Sequence, residues 1–149
     1  MTLRLATEND LTTIYGLEQV LFPDDAWPLE KFDDDLRSPY AHFLKAEDED
    51  RVVGYAIAQY LTGNDVADIQ NIAVVESHRG RGIGAALLDA VLEWAVDQGA
   101  SAIMLEVRAD NVVAQSLYAS RGFEVIVTRA QYYQPAGIDA LVMRKEVPA

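Results

Sequence analysis

The sequence predicts a mixed α/β fold: a mostly antiparallel sheet with a central parallel strand pair and helices on both faces. Three observations predict it. Between residues 42 and 75, three strand-like segments follow one another with no helix between them, so those pairs are antiparallel. From 66 to 107 the pattern runs strand, glycine-rich loop, long helix, strand, which is a parallel crossover. Residues 83–98 carry Leu87, Leu88, Val91, Leu92 and Ala95 at helical spacing, the clearest helix in the chain.

The elements follow in order. Residues 2–6 alternate and predict a short strand. Thr7 or Asn9 caps a helix reaching about Phe22, with Leu11, Ile14, Leu17 and Leu21 on one face, and Pro23-Asp24-Asp25 breaks it. A second helix covers 29–36 and stops at Ser38-Pro39. Strands are expected at 42–46 and 52–61, joined by the acidic turn 47–50. After a turn at 63–65 comes a strand at 66–75. The loop 76–82 leads into the helix 83–98, which Gly99 ends. The apolar run 101–107 reads as a strand covered on both faces. A helix at 111–121 is closed by Gly122, a strand runs from 123 to 128 with an extension to 133, and 139–144 is the last strand.

A chain of 149 residues without repeats or linkers predicts one domain, 1–149, with a core of its own. No run of 18 apolar residues exists, so no membrane span is expected. The N-terminal MTLRLATEND does not read as a signal peptide, and the cytosol is the expected location. The formal net charge of −12 argues against nucleic acid and anionic membranes as partners and suits cationic ones. With no cysteine, thiolate metal sites, disulfides and an acyl-cysteine intermediate are excluded. Only His42 and His78 are present, far apart, so no metal is expected.

The loop Arg79-Gly80-Arg81-Gly82-Ile83-Gly84-Ala85 lies between a strand and a helix. Glycines there allow positive φ and turn several N–H groups inward, and the helix start adds the positive end of its dipole. The two arginines add full charges. The segment reads as a seat for a di- or polyphosphate. A Walker loop is excluded because no Lys-Ser/Thr follows. A dinucleotide fingerprint fits Gly80, Gly82 and Ala85, with Glu106 near the next strand's end. A mid-chain loop after an antiparallel meander leaves no room for the second half of such a fold.

Arg79-x-x-Gly82-x-Gly84, with Asn71-Ile72-Ala73-Val74 before it and Ala86-Leu87-Leu88 after it, resembles the signature of the GCN5-related N-acetyltransferases. The resemblance implies that residues 79–85 hold the pyrophosphate of acetyl-CoA. It implies that the backbone of Ile72, Ala73 and Val74 pairs with the pantetheine arm and the acetyl carbonyl. Residues 105–111, Ala114-x-x-Leu117-Tyr118-x-x-x-Gly122-Phe123, Arg129-x-x-Tyr132-Tyr133 and Asp139-Ala140-x-x-Met143 are similar to the RimI-type N-α-acetyltransferases, which modify a ribosomal protein's N-terminal alanine. It implies an acceptor site built from the first two helices and the last hairpin, where Trp27, Phe32, Asp33, Asp34, Asp35, Tyr132 and Tyr133 fall. A basic protein N-terminus, such as that of a ribosomal protein, is the implied partner. The stretch Phe22-Pro23-Asp24-Asp25-Ala26-Trp27-Pro28-Leu29 departs from the subset's aromatic-Pro-Trp-Ser/Thr pattern.

Acyl transfer to an amine needs a base near the amine, donors near the carbonyl oxygen and an acid near the sulfur. Glu106 ends an apolar strand and is the expected base, directly or through water; its alternatives are a solvated strand end or a pair with Arg108. Tyr118 is the expected acid for the leaving thiolate; its alternative is a packed aromatic beside Leu117 and Phe123. Asn111 caps its helix, contacts coenzyme A, or does both. Without a cysteine, direct transfer in a ternary complex is favoured. Two other functions compete: acetylation of a small amine or antibiotic, and a silent acetyl-CoA-binding module.

Overall fold

In the computed structural model, which describes residues 1–148, the elements follow the expected order. They are β1 (Thr2–Leu5), a 3-10 turn at Glu8–Asp10, α1 (Leu11–Leu21), α2 (Leu29–Arg37), β2 (Ala41–Asp48), β3 (Arg51–Gln59) and β4 (Val66–Val74). A second 3-10 turn at Glu76–His78 precedes α3 (Ile83–Gln98), β5 (Ala102–Arg108), α4 (Val112–Ser120), β6 (Glu124–Tyr133) and β7 (Ile138–Glu146). The first helix starts later than expected. Asp10 Oδ2 accepts the Thr7 N–H at 2.8 Å, and this closure spends residues 8–10 on the 3-10 turn.

One seven-stranded sheet has the order β1-β2-β3-β4-β5-β7-β6. Every neighbouring pair is antiparallel except β4–β5. That pair is the one joined through α3, as a crossover demands.

The strand period of two puts β3 in both cores. Ala56 and Ala58 face α3, where they meet Leu87, Leu88 and Val91, and Val53, which the β2–β3 register skips, joins the same cluster. Tyr55 and Ile57 face the other way, onto Ile14 of α1 and Phe32 of α2. Each buried Leu or Val of α3 contributes roughly 1.5–3 kcal/mol. Small residues on the α3 side let the helix approach closely. At Gly54 an added Cβ would lie 2.8 Å from the Ala73 carbonyl oxygen of the neighbouring strand β4 and 3.2 Å from Leu87 Cδ1 of α3. No helix among the described residues is long and apolar enough to cross a membrane.

Candidate active site

The parallel ladder between β4 and β5 is short. It runs from Val66 opposite Ala102 to Ile69 opposite Leu105 and stops there. Gln70 is an extra residue in β4, because Ile57 pairs with Asn71 while Ala58 pairs with Ile69. A bulge bends its strand and ends regular pairing. Beyond it β4 and β5 splay, and Ile72, Ala73 and Val74 have ladder partners only in β3.

Two cavities adjoin at this splay. The larger, of about 680 Å³, is bounded by Ile72, Ala73 and Val74, by Arg79, Gly80 and Gly82 to Ala85, and by Asn111, Leu117 and Tyr118 of α4. The smaller, of about 160 Å³, is bounded by Glu18, Trp27, Gln70, Asn71, Glu106 and Tyr133. Phe22, Asp25, Ile72, Arg108, Asn111 and Tyr118 border both, so the two adjoin along the splayed strands.

The larger cavity suits a polyphosphate. Gly80 and Gly82 take φ of 77° and 81°, a region that side chains disfavour. Gly82 is the N-cap of α3 and offers no side-chain acceptor to the helix. The N–H groups of the first turn, at Ile83, Gly84 and Ala85, thus remain free beside the cavity, with the dipole's positive end. A Cβ at Gly80 or Gly82 would meet nothing within 4 Å, so there is room above the loop. Arg79 folds back, its Nε donating to the Val74 carbonyl at 3.2 Å. The N-terminal end of α4 forms the opposite wall, where Asn111 Oδ1 accepts the Ala114 N–H at 3.1 Å as an N-cap.

Tyr118 stands where the cavities meet. Its ring packs edge-on against Phe123 at 6.0 Å, and only 8% of the residue is exposed. Burial pushes its phenol up to about 12. The smaller cavity carries more charge. Glu106 Oε1 lies 3.2 Å from Arg129 Nη1. Asp68 borders neither cavity; burial, and then the charge of Glu106, raises its carboxyl above its ordinary range. Tyr133 is pushed up to about 12 by burial first, then by Glu106 and Asp25. Arg108 is held by Asp110 at 3.0 Å and Asp25 at 3.5 Å, with its guanidinium over the Tyr133 ring.

A buried carboxylate holds the wall of this cavity. Glu18 of α1 is 1% exposed. Its Oε1 accepts the Tyr55 hydroxyl at 2.6 Å and Asn71 Nδ2 at 3.0 Å, while Oε2 accepts the Trp27 N–H at 2.9 Å. One side chain thus ties α1, the loop before α2, β3 and the bulged part of β4.

The family model for the acetyltransferase (GNAT) family matches residues 8–123. The chain belongs to the GNAT acetyltransferase family. It is 36% identical to the N-alpha-acetyltransferase RimI of Mycobacterium tuberculosis over 149 residues, which cover 98% of this chain and 92% of that one. An uncharacterized protein of Mycobacterium leprae is 41% identical over 143 residues; the match takes in 94% of this chain but 39% of that longer protein. Among solved structures, the ribosomal-protein-S18-alanine N-acetyltransferase of Escherichia coli superposes with a TM-score of 0.89 at 27% identity, covering 99% of this chain and 94% of that one.

In this GNAT chain most of the residues singled out from the sequence converge. Ile72, Ala73, Val74, Arg79, Gly80, Gly82, Ile83, Gly84, Ala85 and Asn111 border the larger cavity, Trp27, Glu106 and Tyr133 border the smaller, and Tyr118 borders both. Arg81 borders neither cavity. Tyr132 also stays outside, 48% exposed. Its ring meets that of Tyr133 edge-on at 5.3 Å. Gln131 has φ of 52° and the β6–β7 register slips between Arg129 and Tyr133, which breaks the alternation there. Glu106 is paired with Arg129, whereas Arg108 turns to Asp110 and Asp25. Asp33 meets Arg37, and Asp35 is buried against Lys31. Glu18, Gln70 and Asp25 were not among the expected acceptor-site residues. The signal for Glu18 was present, because it stands one helical turn after Ile14 and three residues before Leu21, on the apolar stripe of α1.

Proposed function

We propose that this chain transfers the acetyl group of acetyl-CoA to the free α-amine of a protein N-terminus, by direct attack within a ternary complex. The observation that carries this reading is the pair of adjoining cavities at the β4–β5 splay, with the glycine-rich start of α3 bordering one and Glu106 the other. Acetyl-CoA fits the larger cavity: its phosphates meet the free N–H groups at 83–85, and its pantetheine arm lies along the unpaired edge of Ile72, Ala73 and Val74. The backbone N–H groups of that edge supply donors for the carbonyl oxygen on which charge develops.

The acceptor amine enters from the smaller cavity. Glu106 takes its proton, directly or through water, and Tyr118 gives a proton to the departing thiolate. Chemistry favours an α-amine. With a pKa of about 8, roughly a tenth of it is neutral at pH 7, whereas a lysine side chain with a pKa of about 10.4 is neutral only about once in 2,500. Asp25 and Glu106 at the cavity suit a cationic N-terminus, and the small cavity suits a small first residue. The related proteins named for ribosomal-protein alanine acetylation make a ribosomal protein the acceptor to try first.

The test is incubation with acetyl-CoA and peptides that carry either a free α-amine with no lysine, or a blocked N-terminus with an internal lysine. Mass spectrometry should find one acetyl group on the first set only. Acetylation of the lysine set at equal rate would overturn the α-amine assignment.

A further inference from the structure

A relay of side chains fixes one amide at the acceptor cavity. Asp35 is 3% exposed, and both its oxygens accept from Lys31 Nζ, each at 3.1 Å. With both oxygens already accepting from an ammonium, the carboxyl group serves here as an acceptor. Gln59 must therefore turn its nitrogen toward it, and Nε2 donates to Asp35 Oδ1 at 2.6 Å. The Gln59 carbonyl oxygen faces the other way and accepts Gln70 Nε2 at 3.2 Å. Gln70 is the bulge residue of β4 and borders the smaller cavity. The relay commits its nitrogen to Gln59 and leaves Oε1 as its open acceptor. No protein donor reaches Oε1 among the described residues. The neighbouring wall is apolar, formed by Ile69, Ile72 and Leu105.

We infer that Gln70 selects the acceptor's first residue: its Oε1 accepts the hydroxyl proton of an N-terminal serine, and the cavity prefers this small hydroxyl side chain to an apolar one of equal size. The inference rests on the N-terminal acceptor reading above. A cavity of about 160 Å³ leaves space for a short side chain beside the amine. A serine hydroxyl replaces the water that Oε1 otherwise holds. An ethyl group of the same shape removes that water and returns nothing, which leaves a desolvated acceptor against an apolar wall. Sites built around a polar contact discriminate in this way against the analogue that lacks it. Glu106 and Asp25 do not make this distinction, because both face the charged amine that every acceptor carries.

The experiment compares two peptides that differ only at the first residue, serine against α-aminobutyrate, which replaces the hydroxyl with a methyl group. In the wild-type protein kcat/KM should favour serine by at least about tenfold. Gln70→Leu and Gln70→Ala should each bring that ratio to about one. The ratio is internal to each variant, so a loss of folded protein or of general activity cancels. A wild-type ratio near one, or a serine preference that survives in both variants, overturns the role of Gln70 and leaves the acceptor reading standing. If neither peptide is acetylated while a lysine peptide is, the acceptor reading itself fails.

Discussion

Arg129 Nη1 of β6 lies 3.2 Å from Glu106 Oε1 of β5, reaching across the intervening strand β7. The guanidinium also lies over the Tyr132 ring at 5.5 Å. A cationic amine that approaches Glu106 must compete with this guanidinium. Both partners are partly exposed, so the pair is worth about 1 kcal/mol or less. Arg129→Gln removes the competitor while keeping a side chain of similar reach. Steady-state kinetics should show the acceptor KM falling by up to about fivefold. The acetyl-CoA affinity should not change, and the difference should shrink at high salt. An unchanged KM at low salt would show that the pair does not guard the cavity.

Glu106→Gln keeps the shape of the side chain and removes the base. General-base catalysis contributes about 100-fold or more. A fall of that order in kcat is expected between pH 6 and 9, with acetyl-CoA binding retained. If kcat stays within about twofold of wild type, the proton leaves by another route.

Glu18→Ala should destabilise the fold more than any surface change. It leaves the Tyr55 hydroxyl, the Asn71 amide and the Trp27 N–H without their acceptor. Orphaning one buried and two part-buried donors costs about 3 kcal/mol. At 2–4 °C per kcal/mol for a domain of this size, Tm should fall by roughly 6–12 °C. Thermal unfolding followed by circular dichroism measures it. A change below about 2 °C would mean that the three donors find water instead.

The physical reach of each signal explains what was legible in the sequence. Helices and strands come from short-range periodicity, which is why α3 and the run from β2 to β4 stood out, and why chain order alone identified β4–β5 as the parallel pair. The loop at 79–85 was legible because its glycines are contiguous. The bulge at Gln70 was not, because it depends on the register against β3, and no local pattern encodes it. The Arg129–Glu106 pair and the Asp35–Gln59–Gln70 relay join residues far apart in the chain, and only the closed sheet brings them together. The late start of α1 turns on one side-chain hydrogen bond from Asp10, a choice that helical propensity does not make.

Gly82→Asp tests the phosphate seat. An aspartate tolerates positive φ better than most residues, and a Cβ there meets nothing within 4 Å, so the fold should persist. Its carboxylate would sit at the helix start, where the phosphates of acetyl-CoA are proposed to bind. Calorimetry should show acetyl-CoA affinity reduced by about 100-fold or more, the effect of placing like charges together at a site that was built for an anion. Unchanged affinity together with a native circular dichroism spectrum would move the cofactor site elsewhere.

Tyr118→Phe separates the two roles open to this residue. The substitution keeps the ring and its edge-on contact with Phe123 at 6.0 Å, and removes only the hydroxyl. A phenol pushed up to about 12 by burial stays protonated throughout the neutral range and always has a proton to give. If Tyr118 protonates the thiolate, kcat should fall at least about tenfold while acetyl-CoA affinity changes little. If it only packs, turnover should be normal, with a stability change of about 1 kcal/mol at most. The raised value adds an independent readout. The folded protein holds this proton more tightly than the unfolded chain, whose phenol titrates near 10. The resulting contribution to stability is therefore complete below pH 10 and is lost as the pH rises toward 12. A shift of about two units corresponds to roughly 2–3 kcal/mol. Denaturant titrations at pH 9 and pH 12 should show a smaller alkaline loss in the phenylalanine variant than in wild type, with Tyr55 and Tyr133, both raised by burial, supplying the loss that remains. A variant that turns over normally and loses stability at high pH as the wild type does would show that the Tyr118 hydroxyl is neither the acid nor a buried phenol.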